Sequence, residues 1–489
     1  MTVFRAGQDE TLVRRMLMLI VLSCLTLILS SCTSLAPQRA ASDQVEIPAA
    51  WSAADVSAQA SATSLAQWWS RFDDPLLTCL VAEALQANTS VKTAQAALRQ
   101  ARAQRDVAAA GLRPTLDGSA SAQRGRVGGG SSSNTFKAGL DASWEPDIFG
   151  ANRSALDAGN ATLRASAASL GDVRVSIAAE VALGYIGLRA AQARLAIAEA
   201  NLASQLDTQE ITQWRLQAGL VSSLEAEQSR SATEQTRAQL PVLQTSIEQS
   251  RHALAVLTGQ PPAALATLLA AAGPVPQAAD NLVLSFPAET LRQRPDVRAA
   301  EHRVDAALAK VAEADAARKP SFRLGGSLGL SALTLGALTD GASVVSSLLA
   351  GVSLPIFDGG AARAQVRAQQ AALEQADTAY QATVLTALKD VENALVALRG
   401  DRERLLRLNL AAESAGNAAR LARQQYDSGL VDFQVVLETQ RNQLSTQDSV
   451  ASAQADLGAD HVRLYKALGG GWQPDGQDAA NDPNRTPRS

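Results

Sequence analysis

The sequence predicts a mainly α-helical chain with a small β part: a long coiled-coil α-helical barrel joined to a transmembrane β-barrel, built from two internal structural repeats. Three observations carry this expectation. The chain is written twice, as two related halves. Each half holds a pair of alternating apolar and polar segments about ten residues long, the length of a membrane-barrel strand. Each half also holds a proline-free stretch of about 68 residues, roughly 100 Å of unbroken helix at 1.5 Å per residue.

Composition agrees. Of the 489 residues 46% are hydrophobic but only 4% aromatic, so alanine supplies much of the apolar content. That favours helices packed at close approach over a thick globular core. A net charge of −4 argues against a nucleic-acid footprint or a polybasic membrane patch.

In chain order, Arg14-Arg15 precede an apolar run from Met16 to Leu29, shorter than the roughly 20 residues a membrane-crossing helix needs. Residues 1–31 read as a signal peptide. The run ends in Leu29-Ser30-Ser31-Cys32, which resembles the bacterial lipoprotein box and makes Cys32 the lipidation residue. Cys24 is the weaker candidate, with bulky Leu22 at the middle position. Acylation of Cys32 leaves Cys79 as the one free thiol, with no intrachain disulfide. Cys79 reads as a small buried helix residue. The expected layout is an acylated linker at 32–65, a first repeat at 66–258, an equatorial connector at 259–288, a second repeat at 289–468 and a disordered tail at 469–489.

The repeat shows in three places. "GLRPTL" from Gly111 recurs as "ARKPSF" from Ala317, 206 residues on; "WEPDIFG" from Trp144 is echoed by "LPIFDGG" from Leu354; and Gly219 answers to Gly429, 210 residues on. Each half is expected to open with a helix, near Leu76 to Gly111 and near Glu289 to Lys319. Strands come next at about 115–124 and 135–146, and at about 321–332 and 343–356. Long helices then run at about 151–218 and 221–258, and at about 361–428 and 432–467.

The strand faces are explicit. Leu116, Gly118, Ala120 and Ala122 alternate with polar residues, as do Phe136, Ala138, Leu140, Ala142 and Trp144. The second half repeats this with Phe322, Leu324, Gly326, Leu328 and Leu330, then Val344, Ser346, Leu348, Ala350, Val352 and Leu354. Four strands cannot close a barrel, and an open edge in lipid leaves backbone groups unpaired at several kcal/mol each. The barrel must be shared between copies. Two copies give eight strands and a filled interior; three give twelve and a lumen, which the polar inner face favours.

In the first long helix Val181, Leu188, Leu195 and Leu202 recur every seven residues, with Leu163, Leu170 and Ile177 as a second row. Gly184 and Gly187 suit close backbone approach. Each long helix is followed by Gly-Leu-Val, at Gly219-Leu220-Val221 and Gly429-Leu430-Val431, where glycine ends the helix in a left-handed turn. Pro241 is expected to kink or split the first return helix. His252, His302 and His461 lack metal-ligand spacing, and no nucleophile elbow or phosphate loop is present. The reading is therefore no cofactor, no metal and no enzyme.

Several stretches resemble the TolC-like outer-membrane efflux proteins, in particular the lipoprotein branch that serves resistance-nodulation-division (RND) pumps. They are "LSSC" before the linker, "WWSRFDDPLLTCLVAEALQANTSVKTAQAALRQARA" from Trp68, "ALAVLTGQPP" from Ala253, "LRQRPDVRAAEHRVDAA" from Leu291 and "GLVDFQVVLETQR" from Gly429. The resemblance covers about residues 29–470. It implies a homotrimer with a twelve-stranded barrel in outer-membrane lipid and a helical tunnel in the periplasm, met by an adaptor (membrane fusion) protein and an inner-membrane RND pump. It implies that the two Gly-Leu-Val turns contact the adaptor or pump, and a periplasmic gate in which Glu438 is an acidic ring residue, Tyr426 a linking tyrosine and Glu225 a further acidic position. Gln434 and Val431 depart from the family pattern, standing where relatives often have an apolar constricting residue and a basic link. Drugs or other toxic compounds lead as cargo, ahead of heavy-metal ions and secreted proteins. A lipid-anchored periplasmic coiled-coil scaffold is the reading from another class, and it leaves the four amphipathic strands unexplained.

Overall fold

A computed structural model describes residues 47–52, 65–126, 132–278 and 287–472. The signal, Cys32, most of the linker, the loop tip Gly128 to Gly130 and the tail from 473 lie outside the described residues. The elements run α1 (Pro75–Ala87), α2 (Thr89–Ala110), β1 (Thr115–Gly125), β2 (Ser133–Trp144), α3 (Ala151–Gln217), α4 (Ser223–Leu257), α5 (Pro287–Gln293), α6 (Pro295–Ala316), β3 (Ser321–Ala332), β4 (Val344–Ser353), α7 (Ala361–Asp427) and α8 (Phe433–Ala467). The chain divides into two compact units. One holds Val107–Ala158 and Ala307–Leu373; the other holds Asp43–Asp106, Gly159–Ala306 and Glu374–Ser489.

The first unit contains one antiparallel sheet in the order β1-β2-β3-β4. Its register sets Leu116 against Ala142, Gly118 against Leu140 and Ala122 against Phe136. Leu140 in turn faces Leu328, and Trp144 faces Leu324; Leu324 faces Ala350 and Phe322 faces Val352. Because side chains alternate with period two, the four apolar sets share one face, and Leu348 on it is 90% exposed in the single chain.

The opposite face is small and polar. Asp117 faces Asp141, the Ser119 hydroxyl donates to Asp141 Oδ2 at 3.2 Å, and the Ser327 and Ser347 hydroxyls pair at 2.7 Å. Gly139 faces Gly329, and a Cβ on Gly329 would lie 2.8 Å from the Ala138 carbonyl oxygen, so only glycine fits there. At the strand ends carboxylates start the long helices. Asp147 accepts from the Arg153 amide at 2.8 Å. Asp358 accepts from the Gly360 and Ala362 amides, each at 2.8 Å, and those N–H groups, Ala362 first, hold its carboxyl below the usual range. The Trp144 indole donates to the Leu112 carbonyl at 3.2 Å.

In the second unit, two helices expected to run unbroken are each interrupted. At Asn88 the side chain caps α2, accepting from the Ser90 amide at 2.8 Å, while its Nδ2 donates to the Leu257 carbonyl at 2.9 Å. At Arg294 the adjoining Pro295 removes an amide and disfavours helical backbone before it. There Nη1 donates to the Ala467 carbonyl at 2.8 Å, and the guanidinium grips Asp296 at 3.0 and 2.7 Å and Asp390 at 3.5 Å. Burial works against the Arg294 charge, but Asp296 and Asp390 outweigh it and raise its pKa.

Leu257 and Ala467 are the last residues of α4 and α8. One contact is thus made twice: a side chain at a helix break satisfies the terminal carbonyl of the returning helix. Beyond each, a glycine takes φ of +72° (Gly259) or +74° (Gly469). A Cβ on Gly259 would lie 2.7 Å from the Ala87 carbonyl oxygen, and one on Gly469 would lie 3.1 Å from Arg294 Cα.

Val181 and Leu188 of the seven-residue row are fully buried, with Leu195 packed against the same core. Trp68 stacks on Tyr465 at 5.5 Å. The connector is tied to α3 through Arg189, whose Nη1 donates to the Ala271 carbonyl at 2.6 Å and whose Nε donates to the Tyr185 hydroxyl at 3.0 Å. Tyr185 donates in turn to Asp74 Oδ2 at 2.9 Å, and burial pushes its phenol up to about 12.

Two further expectations are corrected, the first in part. Of the kink or split expected at Pro241, the split does not occur: α4 runs unbroken from Ser223 to Leu257, with Thr233 and Thr236 buried before the proline and Leu243 and Ile247 after it. Cys79 is exposed, not buried, because α1 turns Leu77, Leu80, Val81 and Ala84 inward and Cys79 lies off that stripe. Gly184 does back onto Leu254, its would-be Cβ 3.3 Å from a Leu254 methyl, whereas Gly187 faces open space in the single chain. Among the described residues no helix is long and apolar enough to cross a membrane.

The doubled contact predicts unequal losses. Asn88→Ala should cost about 1–2 kcal/mol, a helix cap and one hydrogen bond. Arg294→Ala should cost about 3 kcal/mol or more, because it strands Asp296 and Asp390 beside an unpaired carbonyl. Thermal melts of the detergent-solubilised protein check the order, with high salt narrowing the gap.

Candidate gate at the helix turns

The residues singled out for a gate all fall in the second unit. Both turns close alike. In the first, Gly219 takes φ of +71° and the Leu220 amide donates to the Arg215 carbonyl at 2.8 Å. In the second, Gly429 takes φ of +73° and the Leu430 amide donates to the Gln425 carbonyl at 2.8 Å. This is the left-handed glycine ending that satisfies orphan carbonyls. Leu220 and Leu430 project outward, each 74% exposed, while Val221 and Val431 are half-buried.

The turns differ in how the next helix is capped. Ser222 caps α4 in a reciprocal box: its hydroxyl accepts from the Glu225 amide at 3.4 Å, and its own amide donates to Glu225 Oε1 at 3.5 Å. Asp432, at the corresponding position before α8, makes no side-chain cap. The other Glu225 oxygen, Oε2, accepts the Tyr426 hydroxyl at 3.3 Å. Glu225 therefore caps one helix and binds the end of another.

Around that link stand three residues that sequence reasoning does not single out. The Arg215 guanidinium lies 4.8 Å from the Tyr426 ring centre and pairs with Asp427 at 3.2 Å. The Phe433 ring is 5.3 Å from that of Tyr426 and is buried with Ala232 and Leu437. An arginine, a tyrosine and a phenylalanine clustered within one turn of the two Gly-Leu-Val sites are the signal that could have found them. Burial pushes the Tyr426 phenol above its usual value, the Glu225 charge adds to the rise, and Arg215 opposes it. The hydroxyl thus stays a donor at neutral pH.

Glu438 and Gln434 stand apart. Both are exposed, four residues apart on α8 and so on one face, and Glu438 makes no ion pair among the described residues. The residues of α8 buried beside this ridge are Phe433, Val436 and Leu437. The five candidates thus split: Tyr426 and Glu225 form a fastened link, Glu438 and Gln434 an unfastened polar ridge, and Val431 joins neither. Trp214 and Leu224, 59% and 64% exposed, add apolar surface beside Leu220. No group of acidic, histidine or cysteine side chains able to hold a metal occurs among the described residues.

Comparison with known proteins gives concordant results. The family model described as outer membrane efflux protein matches residues 80–260 and 286–470. The pyoverdine export outer membrane protein OpmQ of Pseudomonas putida is 34% identical over 443 residues, covering 88% of this chain and 93% of that protein. Outer membrane protein OprJ of Pseudomonas aeruginosa is 32% identical over 434 residues, 86% and 90% of the two chains. The solved structure of the outer-membrane channel OprN superposes with a TM-score of 0.80 at 34% identity, covering 87% of this chain and 99% of that one. That of VceC from Vibrio cholerae gives 0.78 at 27%, covering 83% and 99%.

Two outcomes are expected of the Tyr426 link. Tyr426→Phe keeps the ring contacts and loses one bond to a charged acceptor, about 1.5–3 kcal/mol before solvent exposure weakens it. The losses from Tyr426→Phe and Glu225→Gln should be less than additive in melting experiments. In alkaline titration, the phenolate absorbance assigned to Tyr426 by difference against Tyr426→Phe should rise with a midpoint above about 10.

Proposed function

The chain belongs to the outer membrane efflux protein family, and on that premise we propose that three copies form one channel, a homotrimer with a twelve-stranded barrel. Efflux across the outer membrane is the activity of this family, whose members are channels and not enzymes. One observation carries the trimer: the sheet has a continuous apolar face and two strands, β1 and β4, with an unpaired edge. Such a sheet is stable in lipid only when further copies close it.

The helices form the periplasmic tunnel. The exposed turns at Gly219-Leu220-Val221 and Gly429-Leu430-Val431 dock a periplasmic adaptor protein and an inner-membrane RND pump, and Leu220, Leu430, Trp214 and Leu224 supply apolar anchors for that contact. Cys32 carries the lipid that tethers each copy to the outer membrane. It is auxiliary, since a single acyl chain holds a protein only weakly.

Closure at the turns has two layers. Tyr426 and Glu225, steadied by Arg215, hold the two helix pairs of one chain together. Glu438 and Gln434 line the threefold axis. Three carboxylates brought together there repel unless they take up protons or cations, so the ring favours cationic over anionic traffic. Gln434 in place of an apolar residue makes this constriction wet. Organic compounds are the proposed cargo: relatives include a toluene efflux pump outer membrane protein and a solvent efflux pump outer membrane protein of Pseudomonas putida. No Met-rich or His-rich lining argues for metal ions.

Glu438→Ala should raise single-channel conductance in planar bilayers and reduce cation preference, and Tyr426→Phe should add to the increase. Unchanged conductance in both variants would sink the gate. A deletion strain should become sensitive to organic solvents and drugs across a growth panel; sensitivity to copper or silver alone would reassign the cargo.

A further inference from the structure

At the end of the sheet where strands give way to helices, both halves repeat one short pattern. A basic residue precedes the proline that leads into the first strand, Arg113 before Pro114 and Lys319 before Pro320, 206 residues apart. An Ile-Phe pair marks the corner after the second strand, Ile148-Phe149 and Ile356-Phe357, 208 residues apart. These corners are open: Ile148 is 59% exposed, Ile356 95% and Phe357 92% in the single chain. Phe149 joins the two parts of the pattern, its ring 6.4 Å from that of Phe322 on the apolar face and 5.7 Å from the Lys319 ammonium. Trp144, from the same apolar face, reaches the carbonyl of Leu112 beside Arg113.

The neighbouring charges are matched, and these two are not. Arg318 pairs with Asp315 at 3.0 Å, and Arg153 pairs with Asp147 at 3.9 Å. The helix starts are also filled, since Asp147 and Asp358 accept from the first amides of α3 and α7. Glu145, one residue past Trp144, has the parity of the polar face. Arg113 is exposed and Lys319 half-buried, and neither makes an ion pair among the described residues. The Phe149 ring takes up one side of the Lys319 ammonium and leaves N–H donors for an acceptor. From sheet to helix the order is apolar, aromatic, cationic. That is the order of acyl chain, ester and phosphate in a phospholipid.

We propose that Arg113 and Lys319 bind the phosphate of an anionic phospholipid, phosphatidylglycerol in kind, in the leaflet that faces the helices, with its acyl chains along Trp144, Phe149 and Phe322. A zwitterionic headgroup brings its own ammonium and gains little from an unpaired cation. A headgroup of net negative charge gains about fivefold in affinity for each Lys or Arg near the surface. This inference rests on the membrane-spanning sheet proposed above and adds to it the lipid class and the residues that select it.

Melting of the detergent-purified full chain tests the site, with phosphatidylglycerol and phosphatidylcholine of the same acyl chains titrated separately. Expected is a larger rise in melting temperature with phosphatidylglycerol, its half-saturating concentration raised about fivefold in Lys319→Gln or Arg113→Gln and about 25-fold in the double variant. Lys319→Arg should keep the preference, and so should Lys92→Gln, which changes an exposed lysine of α2 in the other unit. Equal rises with the two lipids, an undiminished preference in both glutamine variants at the site, or the same loss in Lys92→Gln would overturn the proposal. So would an equal rise with glycerol 3-phosphate, which would make the ligand a free phosphate. If the double variant does not fold, the two single variants decide. Planar bilayers check the membrane reading separately: a chain that conducts but shows no lipid preference loses only the headgroup site, whereas one that does not conduct loses the membrane sheet and the site with it.

Discussion

Hydrocarbon offers no hydrogen bonds, and that one constraint organises the sheet unit. A backbone amide or carbonyl turned toward lipid costs several kcal/mol if it has no partner. Two strands and a turn satisfy only their shared edge; four strands in the order β1-β2-β3-β4 still leave two rows unmet. The apolar face is therefore a liability as well as an asset. Leu348, Val352 and Ile356 stay largely exposed in the single chain, and Gly139 against Gly329 allows the inner seam to form only as a close backbone approach.

The helix unit answers a different constraint, namely that every helix must end. Four backbone groups at each end need partners, and the fold supplies them by reuse. Glycines in the left-handed region close both turns and both return helices. Asn88 and Arg294, at equivalent breaks, each reach the last carbonyl of the helix that comes back to them. Duplication thus copied a solution to helix termination along with the helices, and the two copies then drifted in chemistry while keeping their geometry.

What could be read from the sequence depends on the range of the interaction concerned. Strand faces were legible because period-two alternation is written locally, and one unbroken parity held through Leu116, Phe136, Phe322 and Val344. The turns were legible for the same reason, as glycine states its own backbone preference. Longer-range facts were hidden. Nothing near Asn88 says that Leu257 will need its amide, and Arg215 meets a tyrosine 211 residues on only through the repeat that sets both beside a Gly-Leu-Val turn. The break at Asn88 was written as an Asn-Thr-Ser cap signal, but the apolar period continuing across it masked the stop. At Pro241 the split that a local rule about helix interiors suggested is absent, with buried residues on both sides of the proline keeping the helix continuous. Cys79 misled because residue type was read without the phase of the helix stripe. The roles proposed for Glu438 and Gln434 depend on neighbouring copies, which no single chain contains.

The difference between Asn88 and Arg294 gives the duplicated chain a mechanical polarity. A neutral amide holds its carbonyl with the same strength in any ionic surroundings, whereas the guanidinium is held in place by Asp296 and Asp390 and feels the ions around it. The first half is therefore fastened by a joint that carries no charge and the second by one whose hold depends on the charges of Asp296 and Asp390.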